Sequence, residues 1–539
     1  MDGHQSSAIY RAFSEPKIFD LILLSTQHAS FRASVFYSIA RTCRLFFLPS
    51  IKYTWTTCSS LLSLLKTLPS DSWLVEERNG PHRVITSFTL TRRITREDCE
   101  RLRIYAGFML WMLHASFDAV ISEDVFYALS EIFGPGTLTP CLEYIHWSVF
   151  EDPFFPAYTL FAHHNLKRFG VSLGHGIRNS TTTRGRLAML ANLHTLCPNL
   201  TSLRLYDSED PSLVALASPM IVGFSHLQSL DIPCVSMEVF MHLMGLESLQ
   251  DLKLGRLDNI EWDSVRQWPH SAVSFSNLTK IAIGPMSLAT CSAMLELMNP
   301  TLRVLRVVME GICHPDEWST LCVAIQKSCF SSNLHTLDLS DLPTALATGD
   351  IPQISIGHIQ PLLTCSGLHE FQFLPLCGLG FSDDDVSIMA QAFPCLQSLT
   401  LMMLGPELTH PPPNRLTIAS LVHLAKVCPN IGELQLSLDS SSPTLAIAKD
   451  ALQGLPPRVP KWVYPMFLAL KREKSPIDDP RAVAAFLIEL FPALVMHKRG
   501  SESTGADESE DARSNREKWD KVQEIVSEHW NRVAPYHRT

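Results

Sequence analysis

The sequence predicts an α/β solenoid, with short parallel strands on its concave face and helices on its convex face. Three observations predict it. A phrase of the shape L-x-x-L-x-L recurs through most of the 539 residues. Successive phrases are 22 to 35 residues apart, room for a strand, a turn and a helix. Between phrases lie segments with apolar residues at helical spacing, as in IASLVHLAKV at 418–427.

The phrases begin at Leu166, Leu200, Leu227, Leu249, Leu278, Leu302, Leu334, Leu368, Leu396 and Ile431. LEYIHW at 142–147 is a weaker early copy, and SFTL at 87–90 reads as the strand of a still earlier one. Alternation within each phrase turns its apolar residues to one side of a strand. A single such strand buries little, so many must stack before the core is continuous. This is the leucine-rich-repeat signature, and it predicts an array over 59–500 with irregular loops.

Two copies, CPNLTSLRL at 197–205 and CPNIGELQL at 428–436, mark the junction. Helical patterns at 185–196 and 418–427 end there, Pro198 and Pro429 cannot continue the helix, and a strand follows. Because Cys197 and Cys428 recur with the repeat, they are read as packing positions rather than nucleophiles. A further helix, DVSIMAQAF, follows Ser382 and three acidic residues, Asp383, Asp384 and Asp385. Carboxylates at a helix start are expected as N-cap and dipole partners, a reading preferred to a metal site. The Pro/Gly-rich segments 341–353 and 404–414 are expected as exposed loops.

Residues lying between the leucines point away from the core. On the concave face the candidates for binding a partner are Arg204, Asp231, Lys253, Lys280, Arg306, Asp338, Gln372, Thr400 and Gln435. AAFLIELFPALVMH at 484–497 is expected to close the array as a last helix and strand. The polar, acidic stretch 501–515 is expected to be disordered. Residues 516–533 place Trp519, Val522, Ile525, Val526 and Trp530 at helical spacing, a helix that folds back on the last repeat or binds something else.

The chain carries a formal net charge of −10 and no long basic run, which argues against a nucleic-acid partner. Its fourteen cysteines are scattered singly, many inside apolar stretches, and are expected as reduced, buried thiols. No stretch of ~20 uninterrupted apolar residues occurs, and the first residues lack a secretory pattern. The expectation is a soluble cytoplasmic or nuclear protein with no membrane association. No phosphate-binding loop or zinc-protease pair of histidines is present, and the expectation is no catalysis, no cofactor and no metal. His163 and His164 are adjacent, so their side chains should not converge, and GPG at 134–136 reads as turn glycines.

Residues 11–56 do not fit the repeat. IFDLILL, VFYSIARTC and SIKYTW each carry helical spacing, which predicts a small helical module over 10–58. SEPKIFDLILL is similar to the opening helix of F-box motifs, and SIARTCRLFFLPSIKYTW is similar to their closing half. The order of this segment, SLLSLLKTLPSDSW and then leucine-rich repeats resembles a large F-box-like group of basidiomycete fungi. The resemblance implies docking on a Skp-type adaptor of a cullin–RING ubiquitin ligase, with the repeats holding a substrate protein. By position, the docking face would use Pro16, Ile18, Phe19, Leu21, Ile22, Cys43, Phe46 and Trp55. Glu15 and Lys17 stand where the F-box pattern has Leu and an acidic residue. On the residues alone, a second reading of 10–58 is a helical cap over the first repeat's edge.

Overall fold

The computed structural model describes residues 32–42, 44–79, 84–115, 119–148, 155–172, 190–206, 214–257, 260–267, 275–298, 301–311, 314–328, 333–342, 352–403, 416–453, 466–470, 472, 475–496 and 510–533. Two compact units divide the chain, Met1–His242 and Leu243–Thr539. No described helix is long and apolar enough to cross a membrane. The expected IFDLILL helix and the Pro/Gly-rich loop 404–414 lie outside the described residues, as does most of the loop at 341–353.

The first unit holds strands β1 (Thr57–Cys58), β2 (Trp73–Asn79), β3 (Val84–Leu90), β4 (Trp111–Ala115), β5 (Ala119–Ile121), β6 (Tyr144–Ser148), β7 (Arg168–Ser172), β8 (Ser202–Tyr206) and β9 (Ser229–Cys234). β1, β4, β6, β7, β8 and β9 pair in that order, all parallel. SFTL does not belong to this series. It ends β3, which pairs antiparallel with β2 and parallel with β5 in a separate three-stranded sheet. Alternation alone identifies a strand but not which sheet it joins.

Ahead of β1 run two helices, Arg32–Ala40 and Arg44–Thr56, the second continuous through Pro49. Phe36 is buried between them, with Ile39, Phe46 and Tyr53 packed against it.

The second unit holds β10 (Asp251–Arg256), β11 (Lys280–Met286), β12 (Val304–Glu310), β13 (Thr336–Leu342), β14 (Gln353–Ile354), β15 (Glu370–Leu374), β16 (Gly378–Leu379), β17 (Ser398–Leu401), β18 (Glu433–Leu436), β19 (Met466–Leu470) and β20 (Leu494–Met496). β14 and β16 form a two-stranded ribbon, and the other nine pair in parallel sequence order. Each phrase supplies its apolar residues to the core: Leu252 and Leu254, Leu305 and Val307, Leu337 and Leu339 are all buried. Each such side chain contributes about 1.5–3 kcal/mol by leaving water.

The junction before each strand has a repeated geometry. A helix ends at Cys197, Phe393 or Cys428, whose amide bonds back to Leu193, Met389 or Leu424. The carbonyl of that same residue accepts from the amide three residues on, Leu200, Leu396 or Ile431. The asparagine of the phrase has a role too. Asn165, Asn199 and Asn277 donate from Nδ2 to the carbonyls of Pro140, His164 and Glu247, one repeat earlier. The helix before Cys197 is shorter than expected, Leu193–Leu196, preceded by a turn; 185–189 lie outside the described residues.

The acidic triplet divides its labour. Ser382 and Asp385 form a reciprocal capping box on the helix Asp383–Ala392. Asp383 instead accepts from the backbone amide of Thr417, 2.8 Å away, tying one repeat to the next. Asp384 is exposed. Among the described residues no group of three His, Cys, Asp or Glu side chains could hold a metal ion.

The closing helix and strand are Pro480–Leu490 and β20. The last helix runs Glu510–Val533, so residues 510–515 are helical where disorder was expected. The run starts with Glu510 and Asp511, which favour the positive end of a helix dipole. Trp519 is fully buried and donates to the Ser475 carbonyl at 2.8 Å, and Gln523 donates to the Met496 carbonyl of β20. The helix thus folds back on the end of the array.

Candidate protein-interaction face

Parallel pairing sets the outward residues of neighbouring strands side by side. In the second unit Arg306 lies opposite Asp338, Asp338 opposite Gln372, Gln372 opposite Thr400 and Thr400 opposite Gln435. Lys253 begins this row opposite Ala282. Lys280 is two residues earlier on its strand, beside Asp251, in a second row on the same face. Lys253, Lys280 and Arg306 are exposed, and Gln435 is half-buried with its Nε2 on Glu433 Oε1 at 2.7 Å.

Gln372 and Asp338 are joined by a 2.7 Å hydrogen bond. Burial pushes the Asp338 carboxyl above its usual range, against the opposing pull of Gln372 and Arg306. Thr400 is a correction to the expected binding face. Only 3% exposed, it is enclosed in the row between Gln372 and Gln435 and offers nothing to a partner.

In the first unit one row runs Leu113, His146, Gly170, Arg204 and Asp231, and the row before it runs Trp111, Tyr144, Arg168 and Ser202. Arg204 is exposed and Asp231 half-buried, as befits outward positions. Around them stands an aromatic cluster that sequence reasoning passed over. The Arg168 guanidinium lies 4.9 Å from the centre of the Trp111 ring. Trp111 meets Tyr144 edge-on at 5.4 Å, and His146 meets Tyr206 edge-on at 5.3 Å. Arg204 Nη1 donates to Tyr206 Oη at 3.4 Å.

Tyr144 is raised in pKa by burial and by nearby Tyr206, and lowered by Arg204 and Arg168, so these groups share one locality. Gly170 makes the arrangement fit. A Cβ there would stand 2.9 Å from His146 Nδ1. Trp111 and Leu113 are each 38% exposed, large apolar side chains on an outward face. The alternation in LEYIHW was a signal that could have placed Tyr144 and His146 outward, but nothing in LWMLHA distinguishes Trp111 from core.

Of the expected adaptor-docking residues, Pro16, Ile18, Phe19, Leu21, Ile22 and Cys43 lie outside the described residues. Phe46 is half-buried against Phe36. Trp55 stacks on Tyr105 of the helix Glu100–Ala106, centres 4.9 Å apart and planes 2° from parallel.

The cysteines at the junctions are packing residues. Burial pushes the Cys197 thiol up to about 12 and that of Cys428 to about 11. Cys428 Sγ lies 3.6 Å from the Phe393 carbonyl. Cys141 and Cys395, by contrast, are exposed. His163 is buried with Nε2 3.0 Å from the Thr139 carbonyl, whereas His164 is exposed. Gly136 takes φ 69°, consistent with a turn.

No family model matches the chain. No curated protein matches it either. Among solved structures, the chain is similar to one described as the crystal structure of Rad7 and Elc1 complex in yeast, at 13% identity and a TM-score of 0.37. That match covers 71% of this chain and 85% of the other.

Proposed function

We propose that this chain is a non-catalytic substrate receptor of an SCF-type cullin–RING ubiquitin ligase. Residues 10–58 dock on a Skp-type adaptor, and the outward strand faces hold the protein to be modified. What carries this reading is an order of parts: an F-box-like segment, SEPKIFDLILL to TW, precedes strands whose outward side chains align in register. A receptor of this kind needs shape, polarity and a few large anchors rather than a reactive centre. The test is co-purification of the full chain with a Skp-type adaptor. Retention that is lost in Ile22→Asp supports the receptor; a folded chain that never retains the adaptor sinks it.

A second reading has its own observation. Trp55 spends one ring face on Tyr105, and β1 follows immediately at the edge of the parallel sheet. This favours the helix Arg44–Thr56 as a cap over that edge, in a repeat scaffold with no link to ubiquitin. Under that reading Ile22→Asp leaves every interaction of the chain unchanged.

A further inference from the structure

We propose that the outward face of β4, β6, β7 and β8 receives an acidic segment of a partner protein, its carboxylates taken by Arg168 and Arg204. The proposal rests on the reading of the strand faces as partner-holding surfaces and names the chemistry of what one of them holds.

Arg168 and Arg204 occupy adjacent strands, with Gly170 directly opposite Arg204 and two residues beyond Arg168. The space over Gly170 is taken by the His146 and Tyr206 rings, which pack between the two arginines and leave both guanidinium groups exposed on the outward face. Both guanidinium groups already have a positioning partner, Arg168 over the Trp111 ring and Arg204 donating to the Tyr206 hydroxyl. Positioning of this kind lowers the ordering cost of binding and leaves N–H donors for a carboxylate.

Neither arginine has a carboxylate within ion-pairing distance among the described residues. The described ion pairs of this unit use Arg92 with Asp71 and Asp98, Arg93 with Glu131 and Lys167 with Glu143. Two exposed arginines with no ion pair among the described residues, Arg204 feeling the charge of Asp231 beside it, are a basic locality on a chain of net charge −10 that an acidic partner complements. Trp111, Leu113 and Tyr144 supply apolar area beside them, and Trp, Tyr and Arg are the residues that dominate protein interfaces. A nucleic-acid strand is disfavoured, because Arg204 is followed in its row by Asp231 rather than by another basic residue.

The test uses the full chain as bait for a phage-displayed library of random 12-residue peptides. The expected result is enrichment of peptides rich in Asp and Glu. A synthesised winner should bind at least tenfold more weakly to Arg168→Ala and to Arg204→Ala. Arg204→Lys should recover part of the loss, and Lys327→Ala, exposed on the helix Pro315–Ser328, should change nothing. Raising the salt should weaken binding. Arg168→Gln, which keeps most of the stem over Trp111, separates loss of charge from loss of packing. No enrichment, enrichment of neutral or basic peptides, or binding by both arginine variants as tight as by the parent chain overturns the proposal. Adaptor retention is measured on the same proteins. Its failure alongside arginine-dependent peptide binding rejects the ligase role and leaves this site standing; the converse rejects this site alone.

Discussion

Gln372 donates from Nε2 to Asp338 Oδ1 at 2.7 Å, joining two outward residues 34 positions apart across β13 and β15. The bond is set in a half-buried place where burial raises the carboxyl pKa. An acid whose pKa is raised by folding stabilises the fold when protonated, and that contribution is lost as pH rises through the folded value. Asp338→Asn keeps an acceptor for Gln372 and removes the charge. It should therefore raise the melting temperature at pH 7, by on the order of 1 °C. The gain should vanish below the ordinary carboxylate value of about 3.9. Melting curves of both proteins at pH 7 and pH 3.5 check this, and equal gains at both would contradict it.

The C-terminal helix is expected to be part of the folded array. Arg472 is 6% exposed and its guanidinium is held by Asp520 and Gln523 of that helix. Asp520→Ala should cost about 2 kcal/mol, less than a fully enclosed pair because Asp520 is itself 43% exposed. Trp519→Ala removes a fully buried indole and should cost about 3–5 kcal/mol. Limited proteolysis should release 510–533 from the Trp519 variant well before the parent chain; equal rates would show the helix to be dispensable.

Gly136 stands at φ 69°, and a Cβ there would lie 2.6 Å from the Ala162 carbonyl oxygen. Gly136→Ala combines a left-handed backbone with a backbone clash and should destabilise by about 2 kcal/mol. Gly134→Ala, two residues away with nothing within 4 Å, should be near neutral. Denaturation midpoints of the two variants make the comparison internal.

Much of this architecture was legible because each phrase states its own alternation. Leu203, Leu252, Leu305 and Leu337 were identifiable as core from spacing alone, and their neighbours Arg204, Lys253, Arg306 and Asp338 as outward. Two things were not. Trp111 and Leu113 are apolar yet point outward, so β4 has no alternation to read, and the aromatic half of the interaction face went with it. Thr400 is polar yet buried, because flanking strands at the same register enclose it. Both cases are tertiary: what neighbours a strand residue is decided by pairing, which the phrase itself does not encode.

Thiol reactivity should follow burial. Cys197 and Cys428 sit at about 12 and about 11, whereas Cys141 and Cys395 are exposed. At pH 8 the buried pair should be alkylated at least ~100-fold more slowly, from thiolate fraction alone. Brief iodoacetamide treatment of the folded chain followed by peptide mass spectrometry reads the ratio. Comparable rates would mean that the junctions open readily.

The receptor reading stands or falls on whether residues 10–58 meet an adaptor. Hydrogen exchange of the full chain, with and without a purified Skp-type adaptor, measures this residue by residue. The account predicts added protection within 10–58, including the stretch around Ile22. Exchange unchanged throughout that segment at saturating adaptor would contradict it, and would leave the helix Arg44–Thr56 as a cap held by Trp55 on Tyr105.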